Sequence, residues 1–370
     1  MSNEVIVITG SRGSGKSTLA ATLLPPSEID TVYYHDSENS ANRLRAQLQA
    51  AGLDFGRYVD LKSRFSNLPG DDDLLALINQ GKLPWTGEYG RSSLTDYYLY
   101  ILDDLTRNLT PGKYKVYVHD TLEKLEAGMA AWVESNKRKA GVTTLAYGKL
   151  WSEGVYPLYE NLLASIFGRG VETVILCSHL KTPWEGGRPV VGKVQPSGKK
   201  LLYRLSSLML WLVGDRRNAD GAPAGIVLKE RYGRLEPVGD EWKIQRMLPE
   251  RIPHCTWADI SRYLETGCDL ANLSNVERLT DAERSMISEL LSDEQMRLMV
   301  LGAEADLEKL RTPPVLSTGE FAPPRPPTSE SPQVDTQRNQ IRGMRESGTE
   351  PTEIAQQLGI PLPVVLEYLK

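Results

Sequence analysis

The feature that most constrains this chain is a glycine-rich stretch near its start, which reads G-S-R-G-S-G-K-S from Gly10 to Ser17. An apolar run, Val5–Ile8, precedes the stretch, and a helix-like segment, Thr18–Leu24, follows it. Glycines leave the backbone N–H groups of a turn unobstructed, and the N-terminus of the next helix adds positive charge. Strand, glycine-rich loop and helix in this order therefore predict a phosphate-binding loop in an α/β fold.

We expect the whole loop to contact ATP. Lys16 should reach the β- and γ-phosphates, and the Ser17 hydroxyl should ligate the Mg²⁺ ion that bridges them. A turn that matches the pattern by chance is the alternative. The predicted nucleotide-binding residues are Gly10, Ser11, Arg12, Gly13, Ser14, Gly15, Lys16, Ser17 and Thr18.

Composition excludes several classes of protein. The 370 residues are 40% hydrophobic and 25% charged, as in an ordinary globular protein, and no apolar run approaches the roughly 20 residues of a membrane span. The first residues lack the basic flank and cleavage site of a signal peptide, and the three cysteines, Cys177, Cys255 and Cys268, lack metal-ligand spacing. We therefore expect a cytoplasmic protein with reduced thiols. A net charge of −5 means that any contact with DNA must come from local basic patches.

Acidic residues end two further β-rich runs, Thr31–Glu38 and Lys115–Asp120. Ligands of parallel α/β sheets bind beyond the carboxyl ends of the strands. We therefore expect Glu38 to hold and deprotonate the water that attacks the γ-phosphate, and Asp120 to hold Mg²⁺ through water. The alternative for each carboxylate is to cap the following helix, which for Glu38 is predicted at Asn42–Ala51.

A third buried strand, Glu172–Cys177, ends in Ser178 and His179. A polar side chain at this position can respond to the γ-phosphate and pass the change to the following loop, so we expect His179 to sense the nucleotide. Helices are predicted around these strands at Leu94–Leu109, Leu122–Ser135 and Leu150–Phe167.

The next loop, Lys181–Lys200, carries five Lys and Arg side chains against one Glu, although the chain as a whole is acidic. With Trp184 and several glycines, this loop suits single-stranded nucleic acid, because charge meets the backbone and rings stack on bases. A solvated basic loop is the alternative.

The last strand-like runs before the C-terminal part are Leu201–Val213 and Gly225–Gly233. In the second run, the period of two places Lys229 and Arg231 on one face. If this edge abuts the nucleotide of a neighbouring subunit, Arg231 would act as an arginine finger; otherwise the two cations lie on a solvated edge.

Together these motifs resemble the core of RecA-type ATPases over about residues 3 to 250. The matching segments read G-S-R-G-S-G-K-S, Y-Y-H-D-S-E, V-Y-V-H-D-T, V-I-L-C-S-H and I-V-L-K-E-R-Y-G. The chain looks most like phage-encoded RecA-like ATPases of the single-strand-annealing recombination group.

The resemblance implies roles for these positions. Glu38 matches the catalytic glutamate, Asp120 the Walker B aspartate, and His179 the place where the family usually has a sensing glutamine. Lys229 and Arg231 match the K-x-R pair that hexameric DnaB-type helicases present across a subunit interface. The implied catalytic residues are Lys16, Glu38, Asp120, His179, Lys229 and Arg231.

The resemblance also implies contact with DNA, because segments 136–148 and 181–200 sit where the family carries its DNA-binding loops. The implied DNA-binding residues are Lys137, Arg138, Lys139, Lys181, Trp184, Arg188, Lys193, Lys199 and Lys200. The chain begins a few residues before its first strand, so we expect the N-terminal segment that joins RecA subunits to be missing.

The C-terminal part divides by composition. The predicted divisions are an ATPase domain at 1–253, a helical extension at 254–311, a proline-rich linker at 312–333, and a small helix-turn-helix-like module at 334–370. The last helix of the module, Leu362–Leu369, is mostly apolar, which favours docking to a protein over reading DNA.

The predicted fold is an α/β RecA-like P-loop NTPase core with a mainly parallel sheet flanked by helices, followed by the extension and the tethered module. We expect the protein to hydrolyse ATP with Mg²⁺, to act on single-stranded DNA in phage recombination or replication, and to form homo-oligomers in the cytoplasm of a bacterial host. Three alternatives stay open: an ATP-gated DNA- or protein-binding module with little turnover, a ring-forming helicase or helicase loader, and a RecA-like ATPase with a protein partner and no DNA.

Overall fold

The computed structural model describes residues 3–68, 74, 91–139, 150–181, 184–185, 188–189, 195–196, 202, 205–214, 223–238, 241–268 and 273–283. Backbone alone is described for 91–92, 137–139, 184–185, 188–189, 195, 234–238 and 241–245. All of these residues belong to the first of the two units into which the chain divides, Met1–Lys309.

An eight-stranded sheet organises the described residues. Its strands lie side by side in the order β14 (Arg251–Ile252), β11 (Ala224–Glu230), β10 (Leu208–Val213), β1 (Glu4–Gly10), β5 (Thr173–Ser178), β4 (Val116–Asp120), β2 (Val32–Asp36) and β3 (Arg57–Asp60). The pairings from β10 to β3 are all parallel, and β11 and β14 join antiparallel at one edge. The predicted α/β fold with a mainly parallel sheet is confirmed.

Six further strands form three separate antiparallel pairs. These are β6 (Leu180–Lys181) with β9 (Gln195–Pro196), β7 (Trp184–Glu185) with β8 (Arg188–Pro189), and β12 (Arg234–Val238) with β13 (Glu241–Gln245).

Seven α-helices are described: α1 (Lys16–Ala21), α2 (Asn42–Ala50), α3 (Leu61–Arg64), α4 (Arg91–Asn108), α5 (Leu122–Lys139), α6 (Tyr156–Phe167) and α7 (Trp257–Thr266). The predicted helix Leu150–Phe167 is divided, because a π-helix at Leu150–Val155 leads into α6. Pro157 lies in the first turn of α6, where a missing N–H group costs no helical hydrogen bond. Among the described helices, none is long and apolar enough to cross a membrane.

The sheet has a hydrophobic core on each face. Alternate residues of a strand point to opposite faces, and β1 shows this clearly. Val5 and Val7 pack in the core that α4, α5 and α6 cover, whereas Ile6 and Ile8 pack in the core that α1 and α7 cover. Both faces of β1 are therefore buried, as its continuous apolar run predicts.

The parallel register brings the predicted site residues to one edge of the sheet. Asp36 at the end of β2 pairs with Asp120 at the end of β4, and Asp120 pairs with Cys177 in β5. On the other side of β5, Ser178 pairs with Thr9 of β1, immediately before the glycine-rich loop. The carboxyl ends of these four strands thus surround one crevice, the usual ligand site of such sheets.

Several predicted features lie outside the described residues. They are the segment 140–148, the side chains of Lys193, Lys199 and Lys200, the part of the helical extension from 284 to 311, the linker at 312–333 and the module at 334–370. The predicted division of the chain into four parts stays a prediction.

Candidate active site

The glycine-rich loop requires glycine at three positions. Gly13 and Gly15 have φ angles of 76° and 91°, in the left-handed region that side chains disfavour. At Gly10 the limit is space, because a Cβ atom there would lie 2.5 Å from Ser14 Oγ and 2.8 Å from the Leu212 carbonyl oxygen. The three glycines thus permit the tight turn from β1 into α1 that a phosphate-binding loop needs.

Lys16 lies folded into this loop and is only 5% exposed. Its Nζ donates to the carbonyl oxygens of Gly10 at 3.1 Å and Ser11 at 3.0 Å, and lies 3.4 Å from His179 Nδ1. None of these three partners is an anion. A phosphate at this position would therefore be a stronger partner for the ammonium group than those it has here.

A cleft of about 340 Å³ opens in front of the loop. Its lining residues are Arg12, Gly13, Ser14, Gly15, Lys16, Ser17, Thr18, Glu38, Asn39, Ser40 and His179. Seven of the nine predicted nucleotide-binding residues are among them, and so are three of the six predicted catalytic residues, Lys16, Glu38 and His179. The other two loop residues, Gly10 and Ser11, contribute the carbonyl oxygens that hold Lys16.

Asp120 lies behind the cleft and is fully buried. Its Oδ2 accepts hydrogen bonds from Ser17 Oγ at 2.6 Å, Ser40 Oγ at 2.6 Å and the Tyr34 hydroxyl at 2.9 Å. Its Oδ1 has no hydrogen-bond partner among the described residues. Mg²⁺ prefers such carboxylate and hydroxyl oxygens, so Ser17 and Asp120 fit the metal role predicted for them.

The loop between β2 and α2 is shaped by Asp36. This carboxylate accepts hydrogen bonds from the backbone N–H groups of Glu38 at 3.1 Å, Ser40 at 3.1 Å and Ala41 at 2.9 Å. Burial and the charge of Asp120 raise the pKa of Asp36, although these hydrogen bonds favour its ionised form. Ala41, which has no capping group, precedes α2, so Glu38 is not the cap of this helix.

Glu38 faces His179 across the cleft. Glu38 Oε2 lies 3.0 Å from His179 Nε2, and the two side chains are only 13% and 4% exposed. Burial would raise the pKa of Glu38, but the contact with His179 and the positive charges of Lys16 and Arg12 hold it below the ordinary value. Burial would lower the pKa of His179, but Glu38 and the charge of Glu123 hold it above the ordinary value.

A buried carboxylate that the sequence does not mark as functional holds the backbone of His179. Glu123, in the first turn of α5, is 1% exposed, and its Oε1 accepts a hydrogen bond from the His179 N–H at 2.7 Å. The next residue, Lys124, donates to the Ser37 carbonyl oxygen at 2.9 Å. The start of α5 therefore contacts both the loop that carries Glu38 and the end of β5.

Lys229 and Arg231 lie away from this cleft. Strand β11 runs antiparallel to β10, and Lys229 pairs with Met209, near the start of β10, whereas Gly10 pairs with Leu212. Lys229 is 7% exposed, and burial together with the charge of Arg231 lowers its pKa to about 7. Met209 and Leu212 are three residue steps apart, about 10 Å along the sheet. Neither cation is among the residues that line the cleft of its own chain.

The predicted DNA-binding residues are only partly described. Lys181 ends β6 and is half-buried. For Lys137, Arg138 and Lys139 at the end of α5, and for Trp184 and Arg188 in the β7–β8 pair, the structure describes the backbone alone. A role in DNA binding stays a prediction for all nine.

No family model matches this chain, and no curated protein matches it. Among solved structures, a KaiC-like protein from the hyperthermophilic archaeon Pyrococcus horikoshii is similar at 14% identity with a TM-score of 0.32, over 66% of this chain and 89% of its own. The RadB recombinase is similar at 15% identity with a TM-score of 0.33, over 66% of this chain and 88% of its own.

Proposed function

We propose that this chain is a Mg²⁺-dependent ATPase of the RecA type. The observation that carries the proposal is the convergence in one cleft of the buried Lys16, the hydrogen-bonded Ser17 and Asp120, and the carboxylate of Glu38. An ammonium group, a metal-binding hydroxyl and carboxylate, and a general base are the parts that hydrolysis of a nucleoside triphosphate requires. All of them come from the carboxyl edge of the sheet.

Each residue has a defined task in this proposal. Lys16 exchanges its carbonyl partners for the β- and γ-phosphates. Ser17 and Asp120 would hold Mg²⁺, which would neutralise charge on the phosphates. Glu38 accepts a proton from a water molecule as that water bonds to the γ-phosphorus. The bond from the γ-phosphorus to the bridging oxygen breaks, and the products are ADP and phosphate.

His179 is proposed as the residue that responds to the γ-phosphate. Its imidazole lies between Lys16 and Glu38, at 3.4 Å and 3.0 Å respectively. A phosphate that draws Lys16 away from His179 changes the surroundings of the imidazole, and with them its contact with Glu38.

The nucleic acid on which the protein is proposed to act is single-stranded DNA, in phage recombination or replication. The proposal rests on the segment from Lys181 to Lys200, which is basic although the chain as a whole is acidic.

The contact between Glu38 and His179 favours a second candidate, an ATP-gated binding module with little turnover. A carboxylate whose pKa is held low by an imidazole is a weaker base than a free one. If the contact persists when ATP binds, nucleotide occupancy would still change the cleft, but hydrolysis would be slow.

Glu38→Gln separates these candidates. In the ATPase, the substitution should lower steady-state ATP hydrolysis by about 10² to 10⁴-fold, because the base is lost, while ATP binding remains. Lys16→Ala should abolish binding as well. Hydrolysis is measured as phosphate release with and without single-stranded DNA, and binding with a fluorescent, non-hydrolysable ATP analogue.

Two results would contradict parts of this proposal, the first the role of Glu38 and the second the ATPase activity itself. Turnover by Glu38→Gln equal to that of the unaltered chain would remove Glu38 from the role of base. Tight ATP binding by the unaltered chain, without release of phosphate above the Lys16→Ala background under either condition, would leave the gated module as the better description.

A further inference from the structure

Ser40 lies among the oxygen atoms of the candidate magnesium site, although no sequence motif points to it. Its Oγ donates to Asp120 Oδ2 at 2.6 Å, and lies 2.9 Å from Ser17 Oγ and 3.4 Å from Asp36 Oδ1. Ser40 is exposed and lines the cleft, so its hydroxyl is open to a ligand there. Tyr34, the third hydroxyl on Asp120, is fully buried and approaches from the core.

The spacing of these oxygen atoms is close to that of an octahedral ion site. Oxygen ligands about 2.0–2.1 Å from Mg²⁺ lie about 2.9 Å apart along an octahedral edge. The oxygens of Ser17, Ser40 and Asp120 are separated by 2.6, 2.6 and 2.9 Å. An ion could therefore replace the hydrogen bonds among them with shifts of only about a few tenths of an ångström.

Asp120 supplies a second, independent observation. Its carboxylate is fully buried, and its Oδ1 lacks a partner among the described residues. A buried carboxylate oxygen without a partner is unfavourable unless a cation or a water molecule completes its surroundings. The carboxylate beside Ser40 thus has an oxygen left for a cation or for a water molecule of its hydration shell.

We propose that Ser40 is a third protein residue of the Mg²⁺ site and binds the ion alongside Ser17 and Asp120, with Asp120 in direct contact with the ion and not through water as the sequence predicts. The inference rests on the proposed function, because the ion binds together with ATP. A metal ligand at Ser40 would link the ion to the proposed base through the backbone, since Ser40 lies two residues after Glu38 on the same loop. Asp36 accepts hydrogen bonds from the backbone of both residues, and Asn39 between them has a left-handed φ of 64°. Mg²⁺ at Ser40 therefore fixes the loop that carries Glu38.

The test measures metal affinity in the full chain. A fluorescent, non-hydrolysable ATP analogue is bound first in EDTA and then at increasing Mg²⁺, and bound Mn²⁺ is counted separately by the loss of the free-ion electron paramagnetic resonance signal. For Ser40→Ala we expect the Mg²⁺ and Mn²⁺ dissociation constants to rise by about 10- to 100-fold, with nucleotide affinity in EDTA unchanged. Ser40→Thr, which keeps the hydroxyl at an exposed position, should stay close to the unaltered chain.

Ser63→Ala is the matched control. Ser63 is also an exposed serine that donates to an aspartate, Asp60, but it lies outside the cleft. The Ser63→Ala variant should therefore bind Mg²⁺ and Mn²⁺ with the same affinity as the unaltered chain. Metal titrations of Ser40→Ala that coincide with those of the unaltered chain would overturn the inference alone. Failure of the unaltered chain to bind the analogue with Mg²⁺ would instead overturn the proposed function, and the inference with it.

Discussion

At the scale of single residues, His179 and Glu38 each stabilise the charged form of the other. The pKa of His179 lies above its ordinary value of 6.5, so its contribution to stability is complete below that pH and is lost as the pH rises through the raised value. The pKa of Glu38 lies below 4.5, so its contribution is complete above that pH and is lost as the pH falls through the lowered value. Their contact therefore stabilises the fold most between pH 4.5 and 6.5.

His179→Gln tests this pH dependence. Glutamine can donate a hydrogen bond to Glu38 but carries no charge, so only the charge-dependent part of the contact is lost. We expect the variant to be less stable than the unaltered chain by about 1 kcal/mol near pH 5.5, which lowers the melting temperature by about 2–4 °C, and the difference to shrink near pH 9. Calorimetry at both pH values measures it. A difference independent of pH would mean that the contact is not ionic.

At the scale of elements, the strand ends were predictable and the contacts between loops were not. Buried apolar runs mark strands. Glu38 lies two residues after β2 and Asp120 ends β4, so a parallel sheet places both in one crevice. The position of Ser40 could not be predicted in this way, because its contact with Asp120 depends on how its loop folds around Asp36. Glu123 reaches His179 only because α5 packs against β5, a tertiary contact that helical periodicity does not encode.

The apolar pattern of β11 also does not predict that the strand runs antiparallel to β10. This direction determines where Arg231 can act. The alternation of Lys229 and Arg231 predicts that they share a face, and Arg231 is close enough to lower the pKa of Lys229. The strand direction places both far from their own cleft. A role for Arg231 in ATP hydrolysis is thus confined to the cleft of a neighbouring copy.

Arg231→Ala should lower ATP hydrolysis by about 10³-fold at protein concentrations that favour assembly, as loss of an arginine finger does. At low concentration the variant and the unaltered chain should have the same slow rate. Arg107→Ala is a suitable control, because Arg107 is an exposed arginine on α4 whose partner, Asp103, lies on the same helix. An equal loss in a demonstrated monomer would contradict action on a neighbour.

At the scale of the whole molecule, α7 completes the core around the phosphate-binding helix. Ile260 and Cys255 are buried in the same cluster as Leu19 of α1, and the Trp257 indole donates to the Leu19 carbonyl oxygen. The sequence predicts the end of the ATPase domain at 253, where the strand pattern stops. Apolar contacts across that point are not readable from composition, because helix-forming segments look alike whether they pack inward or extend outward.

Two shortened chains test this boundary. A chain ending at 283 should unfold cooperatively and bind nucleotide, whereas one ending at 253 should melt about 10 °C lower. The loss follows from exposing Leu19 and removing Ile260 and Trp257, together worth several kcal/mol at about 1.5–3 kcal/mol for each large apolar side chain. Thermal unfolding with and without the ATP analogue measures both effects. Equal melting temperatures would place the boundary at 253 as predicted.

Because Arg231 lies away from the cleft of its own chain, its proposed role also bears on how copies of the chain assemble. A copy that places this edge in the cleft of a second copy and receives its own arginine from a third forms a head-to-tail contact, which cannot close between two subunits. Under the proposed role of Arg231, an open row always leaves one terminal cleft without its arginine, whereas a ring leaves none. Short open rows would therefore hydrolyse the least ATP per subunit. The rate per subunit would rise as a row becomes longer or closes into a ring.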